Sequence, residues 1–131
     1  MITIDNIRTR QTDTQVELRG RVRSHTDLFD DFDIWWRYPL SCRDVLTDTA
    51  NPFLAAMLLP SMRLGQDLRI DGRISQTLLE GVQKYMQITA AWWPVKPIRI
   101  QADPCPQPAQ GGSQVAAFFS GGLDSFYTLL K

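Results

Sequence analysis

Val115-Ala116-Ala117-Phe118-Phe119-Ser120-Gly121-Gly122-Leu123-Asp124-Ser125-Phe126-Tyr127-Thr128-Leu129-Leu130-Lys131 is the stretch on which the reading of this chain turns. The apolar run Val115 to Phe119 predicts a short strand buried on both faces, the kind that parallel sheets produce. In Ser120-Gly121-Gly122 two side chains are missing in succession. Consecutive backbone N–H groups can then turn toward one point, and an anion can approach the main chain closely. From Asp124 onward Phe126, Leu129 and Leu130 fall at i, i+3 and i+4, which predicts a helix opening directly behind the loop. The first-turn N–H groups of such a helix are unpaired and carry partial positive charge, so phosphate is the natural guest. Ser120 and Ser125 add hydroxyl donors on either side of the glycines, and Ser125 or Asp124 can act at the helix N-terminus. A carboxylate beside phosphates repels them unless it bonds the loop backbone or bridges through Mg²⁺, so Asp124 has one of those two roles.

Ser120-Gly121-Gly122-Leu123-Asp124-Ser125 resembles the SGGxDS signature of the PP-loop ATP pyrophosphatase family, and every fixed position matches. Five fixed positions should coincide by chance in well under about one chain in a thousand of this length, given usual residue frequencies. The loop is not a Walker A motif, which needs a Lys-Ser/Thr pair. It is not a nucleophile elbow either, since neither serine is bracketed as Gly-x-Ser-x-Gly.

The resemblance covers residues 115 to 131. It implies the first strand-loop-helix of a Rossmann-like (HUP) parallel-sheet domain, incomplete here, in which Ser120, Gly121, Gly122, Leu123, Asp124 and Ser125 hold ATP, with Mg²⁺ reached through Asp124. It also implies ATP cleavage between the α and β phosphates: a substrate oxygen attacks the α-phosphorus, pyrophosphate leaves, and the adenylated substrate is captured by a nitrogen or sulfur nucleophile. Asparagine synthetases, the 7-cyano-7-deazaguanine synthases of queuosine biosynthesis and tRNA-thiolating enzymes work in this way. The implied partners are a small-molecule substrate, with a tRNA as a further option, and a separate ammonia or sulfur donor protein. Neither Cys42 nor Cys105 stands at position 2, where glutamine-hydrolysing synthetases carry their nucleophile. The catalytic residues and the adenine pocket are expected past Lys131, and the 131 residues alone are expected to be inactive. The alternative is a non-catalytic nucleotide-binding or interaction module that retains only the phosphate loop.

Ahead of the loop, the prolines and glycines of residues 102 to 114 predict a linker, since they sustain neither a helix nor a central strand. Residues 1 to 101 read as an accessory α+β module. Ile2-Thr3-Ile4 opens a strand, Val16, Leu18, Gly20 and Val22 alternate with Glu17, Arg19, Arg21 and Arg23 along a second, and Ile34 to Tyr38 forms a third that Pro39 ends. Asn51 as N-cap and Pro52 predict a helix that Pro60 kinks or stops. Leu68-Arg69-Ile70 predicts a strand closed by Asp71-Gly72. Ser75 then caps a longer helix with Leu78, Val82, Tyr85, Met86 and Trp93 as its apolar stripe before Pro94, and Ile98-Arg99-Ile100 is the last strand.

Several features of this module invite plainer readings than function. Arg19, Arg21 and Arg23 share one strand face and could grip a phosphate or an RNA backbone, but read first as a solvated outer face. Asp27, Asp30, Asp31 and Asp33 lack the glycine and closing glutamate of a calcium loop. His25 reads as a turn residue. Each of the pairs Trp35-Trp36 and Trp92-Trp93 is expected to place at least one ring in the core. With 14 basic and 14 acidic residues the formal net charge is zero, so no global field draws the chain to nucleic acid or anionic lipid. No apolar stretch approaches the ~20 residues of a membrane helix and no signal peptide is visible, so a cytoplasmic location is expected.

Overall fold

The computed structural model describes residues 1–26, 28–46 and 49–106, with the side chain of Val45 excepted. Its elements are β1 (Ile2–Gln11), β2 (Gln15–Ser24), β3 (Phe32–Pro39), a 3-10 segment (Leu40–Val45), α1 (Asn51–Leu64), β4 (Leu68–Ser75), α2 (Gln76–Trp92) and β5 (Ile100–Cys105). They form an α/β arrangement around one five-stranded mixed sheet of order β3-β2-β1-β4-β5. β1, β2 and β3 pair antiparallel as a meander, whereas β1 with β4 and β4 with β5 pair parallel. The module expected as α+β therefore contains a parallel β4-α2-β5 unit.

Strand alternation decides which side of the sheet is covered. Ile2, Ile4, Leu18, Val22, Leu68, Ile70 and Ile74 join Phe53, Leu54, Met57, Leu58 and Met62 of α1 and Val82 and Met86 of α2 in one buried cluster. Both helices thus pack on the same face, and the opposite face, bearing Asp5, Glu17, Arg19, Arg21 and Arg23, is left to solvent. The Trp35-Trp36 pair splits across the sheet as a two-residue period requires. Trp36 meets Phe53 edge to face at 5.0 Å between centroids, while Trp35 is 48% exposed beneath the Arg37 guanidinium, 4.2 Å from its ring centre.

Several elements differ from the sequence reading, each for an identifiable reason. β1 continues past Ile4 to Gln11 although residues 5 to 11 show no apolar alternation, because its partner β2 supplies a hydrogen-bonded ladder as far as Gln11↔Val16. The irregularity between Asp5 and Arg8 is taken up by Asn6 at φ 52, a conformation asparagine tolerates better than most residues. α1 runs through Pro60 to Leu64. Its five large buried apolar side chains contribute about 1.5–3 kcal/mol each, against roughly 3 kcal/mol lost to an internal proline. The helix closes on Gly65 at φ 63, with the N–H groups of Gly65 and Gln66 donating to the carbonyls of Met62 and Ser61 at 3.2 and 3.0 Å, a Schellman arrangement.

Asn51 is the first residue of α1 rather than its N-cap, which is Ala50. The Asn51 amide instead reaches the head of α2, accepting from the Ser75 N–H at 2.9 Å and donating to Ser75 Oγ at 3.3 Å. Ser75 is the N-cap of α2, as expected, and its Oγ accepts from the Leu78 N–H. Asp71-Gly72 does not close β4, which runs on to Ser75; a side chain at residue 72 would bring its Cβ to 2.9 Å from that of Ala50. The last strand begins at Ile100, and residues 102–105, expected in the linker, belong to it. Among the described residues β5 is the edge strand of the sheet, a position in which the missing N–H of Pro104 is tolerated.

Candidate functional site

The phosphate-loop residues Ser120, Gly121, Gly122, Leu123, Asp124 and Ser125 lie outside the described residues, as do Asp27 and residues 107–114 of the expected linker. Within the described module two surfaces carry chemistry: the open face of the sheet and a groove between the helix ends.

On the open face, pairing register brings together the arginines of β2 and the carboxylates that the sequence scatters elsewhere. Arg21 stands opposite Asp33 across the β2-β3 ladder, and Glu17 opposite Arg37. Arg19 donates to Asp33 through Nε and Nη2 at 3.2 and 2.5 Å, and Arg21 donates to the other oxygen of Asp33 at 3.3 Å. Arg23 bridges Asp5 at 2.8 Å and Asp31, and Arg37 donates to Glu17 at 2.7 Å. The hydrogen bond from Arg19, followed by that from Arg21 and the charge of both, holds the Asp33 carboxyl below its ordinary range despite partial desolvation. Hydrogen bonding and charge from Asp33 stabilise the cationic form of Arg19 in return, and Asp5 does the same for Arg23. Four arginines and four carboxylates are thus paired on this face, where the β1-β2 register also sets Arg8 opposite Arg19 and Arg10 opposite Glu17. A phosphate entering here would have to displace carboxylates already in place, so Arg19, Arg21 and Arg23 form no ready phosphate or RNA cradle.

The same pairing answers for the acidic cluster. Asp31 and Asp33 serve arginines, and among the described residues no group of three or more His, Cys, Asp or Glu side chains is placed to hold a metal ion. His25 lies in the turn after β2, where its Nε2 and Thr3 Oγ1 are 2.8 Å apart and its backbone N–H donates to Met1 O. Cys42 and Cys105 are free thiols, each partly buried.

The second surface lies where the C-terminal halves of α1 and α2 meet the Trp93-Val95 segment. Leu59, Pro60 and Arg63 face Tyr85, Trp93, Pro94 and Val95 across an open apolar groove of about 520 Å³. Tyr85 and Trp93 were expected in the core stripe of α2, yet they are 45% and 56% exposed. The buried face of α2 is carried by Val82, Met86 and Thr89. Trp92 is 74% exposed and packs against Trp93 at 6.0 Å between ring centres, so neither ring of this pair enters the core. A second helical stripe, Tyr85, Ile88 and Trp92 at i, i+3 and i+7, was legible in the sequence beside the buried one.

Comparison with protein-family models, curated proteins and solved structures gives no match for this chain. No helix among the described residues is long and apolar enough to cross a membrane.

Proposed function

We propose that this chain belongs to an ATP-dependent adenylating enzyme, and that residues 1–105 form an accessory module attached to its nucleotide-binding domain. The observation that carries the reading is the six-residue loop Ser120 to Ser125, set between an apolar pentapeptide and a helical apolar pattern. On this reading residues 115–131 open a Rossmann-like parallel sheet. The N–H groups of Gly121 and Gly122 hold the departing pyrophosphate, the hydroxyls of Ser120 and Ser125 donate to phosphate oxygens, and Asp124 steadies the loop or meets Mg²⁺. A substrate oxygen forms a bond to the α-phosphorus as the bond to the β-phosphate oxygen breaks. The later nucleophile, nitrogen or sulfur, displaces AMP. The engagement of Arg19, Arg21, Arg23 and Arg37 by carboxylates supports looking for the phosphate site in this loop and not on the sheet face. A small-molecule acceptor, a tRNA, a separate ammonia or sulfur donor and a cytoplasmic setting remain parts of the same proposal.

The test is calorimetric titration of the complete gene product with ATP across a magnesium series. Gly122→Val places a branched side chain where phosphate oxygens must approach, and should abolish binding with the fold retained. Asp124→Asn should make binding less magnesium-dependent and adenylation much slower if the carboxylate meets the metal, and should weaken binding at every magnesium concentration if it ties the loop. Unchanged affinity and pyrophosphate release in both variants would refute the phosphate-loop reading and leave a binding module.

A further inference from the structure

Among the described residues, six of the nine large apolar side chains that stand exposed, namely Leu59, Leu64, Tyr85, Ile88, Trp92 and Trp93, lie on the C-terminal halves of α1 and α2 or directly behind them. Helical spacing makes them continuous: Pro60 and Leu64 are one turn apart on α1, Tyr85, Ile88 and Trp92 form one stripe on α2, and Trp92 touches Trp93. At about 150–250 Å² for each aromatic side chain, weighted by its exposed fraction, and with the aliphatic side chains added, the patch comes to roughly 600 Å². That stands at the top of the roughly 300–600 Å² typical of the largest patch on a monomer, and doubled over two copies it reaches the lower end, about 1,200 Å², of a standard interface.

The shape of this patch favours one occupant. Trp92 projects as a knob, and the groove formed by Leu59, Pro60, Tyr85, Trp93 and Pro94 lies directly beside it as a hole lined almost wholly by apolar atoms. A surface that carries an exposed ring beside an apolar groove can meet its own copy under a two-fold rotation, in which the ring of each copy covers the groove of the other. Among the described residues Arg63 is the one charged side chain lining the groove, where it can stack on an incoming indole, and the zero net charge of the chain sets no general repulsion between copies.

We infer that this face is a two-fold interface between copies of the chain, with Trp92 of each copy seated in the groove of the other. The inference is independent of the adenylation reading. It is tested by sedimentation equilibrium of the full 131-residue chain, whose mass is 14.9 kDa, alongside two variants. Trp92→Lys replaces a side chain that is mostly in solvent in the single copy, and a cation at a helix C-terminus does not oppose the helix dipole. The isolated fold is therefore kept while the interface acquires a buried charge. Trp35→Lys alters an exposed tryptophan on the opposite face of the sheet and serves as control. The expected result is a wild-type chain at twice the monomer mass in the micromolar range, Trp92→Lys with a dissociation constant raised at least about 30-fold, and Trp35→Lys unchanged from wild type. Any of three results would overturn the inference: a wild-type monomer at 200 µM (about the weakest range for a specific interface), a dimer that survives Trp92→Lys, or equal weakening by Trp35→Lys. Trp92 shielded from acrylamide quenching in a monomer would also overturn it, and would assign the groove to other residues of the same chain.

Discussion

Gly20 stands on the core face of β2, directly beneath the ring of Phe53, and Gly20→Ala tests how the module is packed. A Cβ at this position would lie 2.6 Å from Phe53 Cε1 and 3.0 Å from Cζ, whereas carbon atoms rest at about 3.5–4.0 Å. The ring must therefore retreat by about 1 Å. It has no free direction: Phe53 is fully buried and meets Trp36 edge to face at 86°. Overpacking of this kind costs about 1–3 kcal/mol. Alanine recovers part of it, about 0.5–1 kcal/mol, by stiffening the unfolded chain. The balance is a loss of about 1–2 kcal/mol, which for a domain of this size lowers Tm by roughly 5–15 °C.

Urea unfolding followed by far-UV circular dichroism measures the loss, and the near-UV signal of the Trp36-Phe53 pair reports its origin. In the double variant Gly20→Ala/Phe53→Leu the smaller side chain gives the new methyl room, so the two substitutions together should cost less than their separate sum by about 0.5–3 kcal/mol. A Gly20→Ala variant with unchanged Tm and unchanged near-UV spectrum, or a strictly additive double variant, would refute the packing argument.

Gly65→Ala should destabilise the module by about 1 kcal/mol, because φ 63 at the end of α1 is strained for any residue with a Cβ; thermal unfolding measures this, and an unchanged midpoint contradicts it. Asp33 contributes stability as a carboxylate held below its ordinary range by Arg19 and Arg21. That contribution is complete above the unfolded-state value of about 3.9 and disappears as pH falls through the lower folded-state value. Wild type should therefore lose stability relative to Asp33→Asn as pH falls below about 4, as read from urea midpoints on the acid side of that value, and parallel profiles for the two proteins would contradict the lattice geometry.

Elements whose identity is set by their own residues were readable from the sequence. β2 announces itself through the alternation of Val16, Leu18, Gly20 and Val22 with charged residues, and α2 through the Ser75 cap and the Val82-Met86 spacing. What was missed depends on neighbours. The second half of β1 has no apolar alternation and is a strand because β2 lies beside it. Pro60 stops an isolated helix, but here the buried stripe from Phe53 to Met62 outweighs it. Pro104 argues against a strand only where both edges of that strand are paired. Tyr85 belongs to a second stripe of α2 with Ile88 and Trp92, and helical spacing alone does not say which of the two stripes the sheet covers.

The same distinction separates the two candidate sites. A phosphate loop is local: its glycines, hydroxyls and helix start are consecutive, so six residues suffice to propose it. A charge lattice is non-local, and the sequence offers Arg19, Arg21 and Arg23 in one place and Asp31 and Asp33 in another, inviting an anion site from the first group and a cation site from the second. Only the β2-β3 register, with Arg21 opposite Asp33, shows that each group is the other's partner. Opposite charges on facing strands stabilise a sheet modestly, by roughly 0.2–1 kcal/mol per pair, and they offset the like charges of Arg8 and Arg19, which face each other across β1 and β2. The lattice is thus explained by the sheet's own requirement for complementary charge on its solvent face, and no ligand is needed to account for it. The exposed tryptophans have no such internal explanation, because Trp92 and Trp93 satisfy each other only along one edge and leave the groove beside them open. For that reason the contact surface is assigned to the helix ends and not to the arginine face.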